Sequence, residues 1–76
     1  MIAKIYTTSK CKWCKIMKEY LKEKSIEYEE YDVETDKQKD AEMFEKSEQR
    51  SVPVIDIDGT IIIGFDQEAI DACINK

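Results

Sequence analysis

Apolar residues recur at Trp13, Ile16, Met17, Tyr20 and Leu21 among lysines, the i, i+3, i+4, i+7, i+8 rhythm of one helical face. This spacing predicts a helix over residues 12–24 with its lysines turned to solvent. Residues 2–6 (IAKIY) read as a short strand, and Thr7 to Lys10 as a loop. Ile26, Tyr28, Tyr31 and Val33 give residues 26–33 the β-branched and aromatic content of a strand, although their alternation slips between Tyr28 and Tyr31. Thr35 or Asp36 is placed to cap a second helix reaching Glu48, whose apolar residues are only Ala41, Met43 and Phe44. Residues 53–57 and 60–63 read as strands joined by Asp58-Gly59, a pair suited to a two-residue hairpin turn with positive φ. Gly64-Phe65 ends the last strand. Asp66 then caps a final helix with Ala69, Ile70, Cys73 and Ile74 on its inner side.

The predicted order is β-α-β-α-β-β-α. A strand–helix–strand start implies a parallel crossover, and the hairpin adds an antiparallel pair. The expected architecture is therefore α/β: a mixed four-stranded sheet with three helices on its faces. At 76 residues, the whole of 1–76 reads as one domain.

Composition narrows the function. With 42% hydrophobic and 38% charged residues, the chain matches a soluble folded protein, not a disordered one. Its longest aliphatic run, Ile61-Ile62-Ile63, is far short of a membrane span, and its opening residues lack an apolar leader. The expectation is a cytoplasmic protein. The absence of histidine excludes Ser-His-Asp and Cys-His nucleophilic sites and any imidazole-bearing zinc site. A net charge of −5 argues against nucleic acid as a partner. The charge is uneven: residues 10–24 hold six lysines against two glutamates, a net +4 that leaves −9 on the rest.

That basic segment contains Cys11-Lys12-Trp13-Cys14, placed after a predicted strand and at the start of a predicted amphipathic helix. A close Cys-x-x-Cys pair in this context points to thiol–disulfide exchange. Exchange needs a thiolate, and an ordinary thiol with pKa about 8.5 is mostly protonated at neutral pH. The free N–H groups and positive end of a helix favour an anion, and Lys10, Lys12 and Lys15 add cations nearby. Cys11, nearer the helix end and solvent, is the expected nucleophile; Cys14, one turn in, is the expected resolving thiol. Two other readings of the pair are a structural disulfide, which closes too small a loop to stabilise much, and half of a zinc or iron–sulfur site shared across a dimer. The lysines read equally as a plain solvated face, Trp13 as either a core residue or an aromatic at the mouth of the site, and Cys73 as a small apolar core residue.

Together these segments resemble the glutaredoxin family over nearly the whole chain. Tyr6-Thr7-Thr8 with Cys11-Lys12-Trp13-Cys14 resembles its first strand and active-site loop, and Ser51-Val52-Pro53 its Thr-Val-Pro motif. Ile57-Asp58-Gly59 is similar to its hairpin, and Gly64-Phe65-Asp66 to the motif opening its last helix. The resemblance implies a thioredoxin-like fold, disulfide reduction, no bound cofactor, and glutathione as cosubstrate. It also implies a cis Pro53 facing the cysteines, with the Val52 backbone open to a disulfide-bearing peptide or glutathione. Asp66 would meet the γ-glutamyl end of glutathione, and Arg50 or Gln49 its glycyl carboxylate. Lys10, Lys12, Trp13 and Phe65 complete the expected substrate-binding set.

The pattern also departs from the family. Lys12 and Trp13 replace the usual Pro and Tyr between the cysteines, and Thr8 replaces the lysine of glutathione-using members. Ile63-Gly64-Phe65-Asp66 stands where Gly-Gly-Cys/Ser-Asp is usual, and its Gly-Phe pair is similar to the small redoxins recharged by thioredoxin reductase that donate electrons to ribonucleotide reductase. The implied partners are therefore glutathione or thioredoxin reductase and disulfide-bearing proteins, with the chain acting as a monomer.

Overall fold

The computed structural model describes residues 2–74. Seven elements follow the expected order: β1 Ile2–Thr7, α1 Lys12–Glu23, β2 Glu27–Asp32, α2 Lys37–Ser47, β3 Val54–Ile57, β4 Thr60–Ile63 and α3 Gln67–Ile74. The sheet runs β2-β1-β3-β4. β1 and β2 are parallel, while β1–β3 and β3–β4 are antiparallel.

Each face of the sheet is covered. Ala3, Ile5, Ile55, Ile57 and Ile62 turn one way and pack with Met17 and Leu21 of α1 and Ile70 and Cys73 of α3. Tyr6 and Val54 turn the other way and pack with Met43 of α2. Alternate side chains of a strand point to opposite faces, so a strand covered on both sides reads as apolar at both parities. This accounts for the slip in β2: Tyr28 packs into the α1/α3 layer and Tyr31 into the α2 layer.

Four strand boundaries move. β1 runs on to Thr7, whose carbonyl accepts from the Val33 amide at 2.9 Å. β2 is trimmed to residues 27–32, and β3 starts at Val54, since Pro53 has no N–H to give a ladder. The apolar face of α1 is inner only in part. Its buried residues are Cys14, Met17 and Leu21, whereas Trp13 is 57% exposed and Ile16 and Tyr20 lie half-buried. Asp36, not Thr35, caps α2, its carboxylate accepting from the Lys39 amide at 3.2 Å. In the hairpin, Asp58 and Gly59 have φ of 51° and 91°, the pair of positive values a two-residue turn of this kind needs.

Candidate active site

The end of β1 delivers a short loop in which the Cys11 amide donates to the Thr8 carbonyl at 3.2 Å. Cys11 is the N-cap of α1, with extended φ and ψ of −84° and 109°, and its Sγ accepts from the Cys14 amide at 3.1 Å. The sulfur thus fills the role that a Ser or Asp oxygen plays at other helix starts. Because the amides of the first turn have no partners within the helix, negative charge on Cys11 Sγ is favoured there. One turn on, Cys14 lies beneath it, with a Cα–Cα distance of 5.3 Å, and the two are joined as a disulfide. Cys11 is partly open to solvent, while Cys14 is buried to 1% exposure under the first turn.

The segment before β3 comes up beside this turn. The Val52–Pro53 peptide is cis, Pro53 is buried, and its carbonyl accepts from the Gly64 amide at 2.8 Å. Gly64 holds φ of 78°, a value disfavoured for any residue with a Cβ. Its turn presents Phe65 to α1. Phe65 stacks on Trp13, with centroids 6.4 Å apart and planes 26° apart, and meets Tyr20 edge-on at 5.6 Å. The Tyr20 hydroxyl donates to the Asp71 carboxylate, so one chain of contacts ties α1 to α3.

Two hollows flank the cysteine turn. Trp13, Val52, Pro53, Gly64 and Phe65 line an apolar groove of about 250 Å³. Ser9, Lys10, Cys11, Lys12 and Lys15 line a basic hollow of about 190 Å³. Of the substrate-binding residues expected from sequence, Lys10, Lys12, Trp13, Val52, Pro53 and Phe65 therefore come together around the pair. Two others do not line either hollow. Arg50 donates to Asp40 at 2.6 Å and lies over the Phe44 ring at 4.8 Å, directed to α2. Asp66 is exposed and accepts from the Ala69 amide at 3.1 Å, capping α3. Ser9, Lys15 and Gly64 join the lining without having been counted among the binding residues. Their only sequence signals were a position in the loop, a lysine one turn along, and a glycine after a strand.

The pair provides two thiols, half the ligands of a tetrahedral metal site. Among the described residues no group of three or more Cys, Asp or Glu side chains is disposed to hold a metal ion. Among them, too, no helix is long and apolar enough to cross a membrane.

The glutaredoxin family model matches residues 3–62, from the first strand through the hairpin. The chain belongs to the glutaredoxin family. It is 49% identical over 73 residues to the glutaredoxin-like 8.6 kDa protein of the rubredoxin operon of Clostridium pasteurianum, covering 96% of this chain and 97% of that one. Among solved structures it resembles the thioredoxin-like protein BC3987, with a TM-score of 0.87 and 32% identity over 93% of this chain and 97% of that one. NrdH-redoxin of Escherichia coli, a glutaredoxin-like protein with a thioredoxin-like activity profile, superposes with a TM-score of 0.82. At 24% identity, over 95% of this chain and 93% of its own, that likeness speaks to the fold alone. The protein is thus a glutaredoxin-like redoxin of thioredoxin-like fold, and its family points to thiol–disulfide oxidoreductase chemistry.

Proposed function

We propose that this redoxin is a dithiol disulfide reductase in which Cys11 attacks and Cys14 resolves. The observation that carries the reading is the asymmetry of the pair: Cys11 caps the helix and meets solvent, while Cys14 is sealed beneath it. In the reduced protein the Cys11 thiolate attacks one sulfur of a substrate disulfide, and the other sulfur leaves as a thiolate and takes up a proton. The Cys14 thiol then loses its proton and attacks Cys11 Sγ. The substrate's second thiol departs, and the Cys11–Cys14 disulfide remains. Two electrons and two protons pass to the substrate.

The groove beside the pair suits an extended segment laid along the Val52 backbone, strand to strand, with Trp13 and Phe65 as its apolar wall. Glutathione is the proposed cosubstrate, and disulfide-bearing proteins are the proposed partners. The chain would act as a monomer in the reducing cytoplasm, where a dithiol of this kind is kept in use. A second reading, an electron-donor redoxin recharged by thioredoxin reductase, is favoured by three features. Arg50 is paired with Asp40, the Asp66 carboxylate is taken up as a helix cap, and Phe65 stacks on Trp13.

NADPH oxidation with a small disulfide substrate tests both, once with glutathione and glutathione reductase and once with thioredoxin reductase alone. Turnover that needs glutathione supports the first reading, and turnover with thioredoxin reductase alone supports the second. Cys11→Ser should abolish turnover in either system. Cys14→Ser should accumulate a mixed disulfide on Cys11, visible by mass spectrometry. A fully active Cys11→Ser protein would overturn the mechanism.

A further inference from the structure

The lysines near Cys11 differ from the paired cations of the fold, and among the described residues Lys4, Lys22, Lys24 and Lys37 share their lack of an ion pair. Lys18 pairs with Glu30 at 2.6 Å, Lys39 with Glu42 at 3.0 Å and Lys46 with Asp56 at 2.7 Å. Lys10, Lys12 and Lys15 make no ion pair among the described residues, yet they line one hollow with the outer cysteine. At its rim the Ser9 hydroxyl donates to the Glu34 carboxylate at 3.4 Å. Segment 10–24 carries +4 in a chain of net −5, so the cysteine turn is a positive pole on an acidic body. A concave cluster of one sign raises the local concentration of the opposite sign and steers encounter.

We propose that this face selects protein disulfides whose attacked cysteine is flanked by aspartate or glutamate. The selection rests on the thiol–disulfide activity proposed above and names its substrate class. The carboxylates enter the basic hollow beside Cys11, while the acidic remainder of the surface repels segments that would dock elsewhere. The exchange itself balances as described: the Cys11–Cys14 dithiol is oxidised and the partner's disulfide becomes two thiols.

The test is single-turnover oxidation of the reduced protein by three matched disulfide peptides flanked by Glu, Gln or Lys. Each rate is divided by that peptide's rate with dithiothreitol, an uncharged thiol, to remove the peptide's own reactivity. At low salt the normalised rate should be about tenfold higher for the Glu peptide than for the Gln peptide, and the ratio should approach one in high salt. In the Lys10→Gln/Lys12→Gln/Lys15→Gln variant the Glu-to-Gln ratio should fall towards one at low salt as well. Oxidation of the protein by all three peptides at equal normalised rates would overturn the selection and leave the activity standing. No oxidation by any peptide would overturn both. A Glu preference that survives in the triple variant would assign it away from this hollow.

Discussion

Burial works against the charge on Lys46, but its hydrogen bonds to Asp56, Tyr6 and Glu42 outweigh that cost and hold its pKa above the usual lysine value. Its ammonium donates to Asp56 at 2.7 Å and to the Tyr6 hydroxyl at 3.1 Å, and lies 3.3 Å from Glu42. Asp56 is a buried carboxylate on β3 that also accepts from the Gly59 amide at 2.9 Å. Asp56→Ala therefore leaves an ammonium without its main partner and a turn amide without its acceptor. The expected loss is about 2–3 kcal/mol in urea unfolding, below the full cost of breaking a buried pair because water can still reach Lys46. A loss under about 0.5 kcal/mol would show the network to be incidental. Tyr20 offers a pH test. Its hydrogen bond to the Asp71 carboxylate, with burial and that negative charge, pushes its pKa up to about 12. A raised value means that the bond's contribution is complete below about 10 and fades as pH rises through about 12. Burial also raises Tyr6, and a hydrogen bond to Glu29 raises Tyr31, so absorbance titration should show late tyrosine ionisation, and Asp71→Asn should return the Tyr20 share of it towards its ordinary value.

At the level of elements, α2 depends on its ends. It buries only Met43, with Phe44 and Ala41 left exposed, so little packing supports it. Asp36→Ala should cost about 1 kcal/mol, a loss typical of a removed N-cap, read as a shift in the urea midpoint. A neutral result would mean that Met43 and the Lys46–Asp56 pair hold the helix without the cap. This helix was legible from its cap and length, not from an apolar stripe. In α1 the choice for Trp13 between core and site mouth stayed open for a related cause. Spacing identifies a stripe but not what it rests on, and the first turn of α1 sets Cys14, rather than Trp13, against the sheet. Cys14, one turn inside the helix, reads from the sequence as the more buried thiol, and it is the first residue of the buried face. The Lys46–Asp56 pair escaped notice because a strand acid reads as solvent-facing until α2 is known to cover that side of β3. The Arg50 ion pair was hidden for a similar reason: its partner Asp40 lies ten residues back along α2, a proximity that only the fold makes plain.

Over the whole molecule, the two apolar layers are unequal. The larger gathers residues of β1, β3, β4, α1 and α3, and Leu21 sits within it without exposure. A chain of this length is worth only about 4–11 kcal/mol in total at typical stability per residue. Leu21→Ala removes a buried side chain at a cost of about 2–5 kcal/mol, a large share of that margin. The melting midpoint should fall by more than about 10 °C, since each kcal/mol moves a domain of this size by several degrees. Ile63→Ala provides the contrast. Ile63 is 51% exposed on the outer strand β4, so its truncation should cost less than about 1 kcal/mol. Both variants should be compared with the Cys11–Cys14 pair in the same redox state. Equal losses would mean that the outer strand limits stability as much as the α1/α3 layer. A selective loss in Leu21→Ala would place the anchor of the reactive helix in the larger core, with Cys11 at the far end of the same rigid rod.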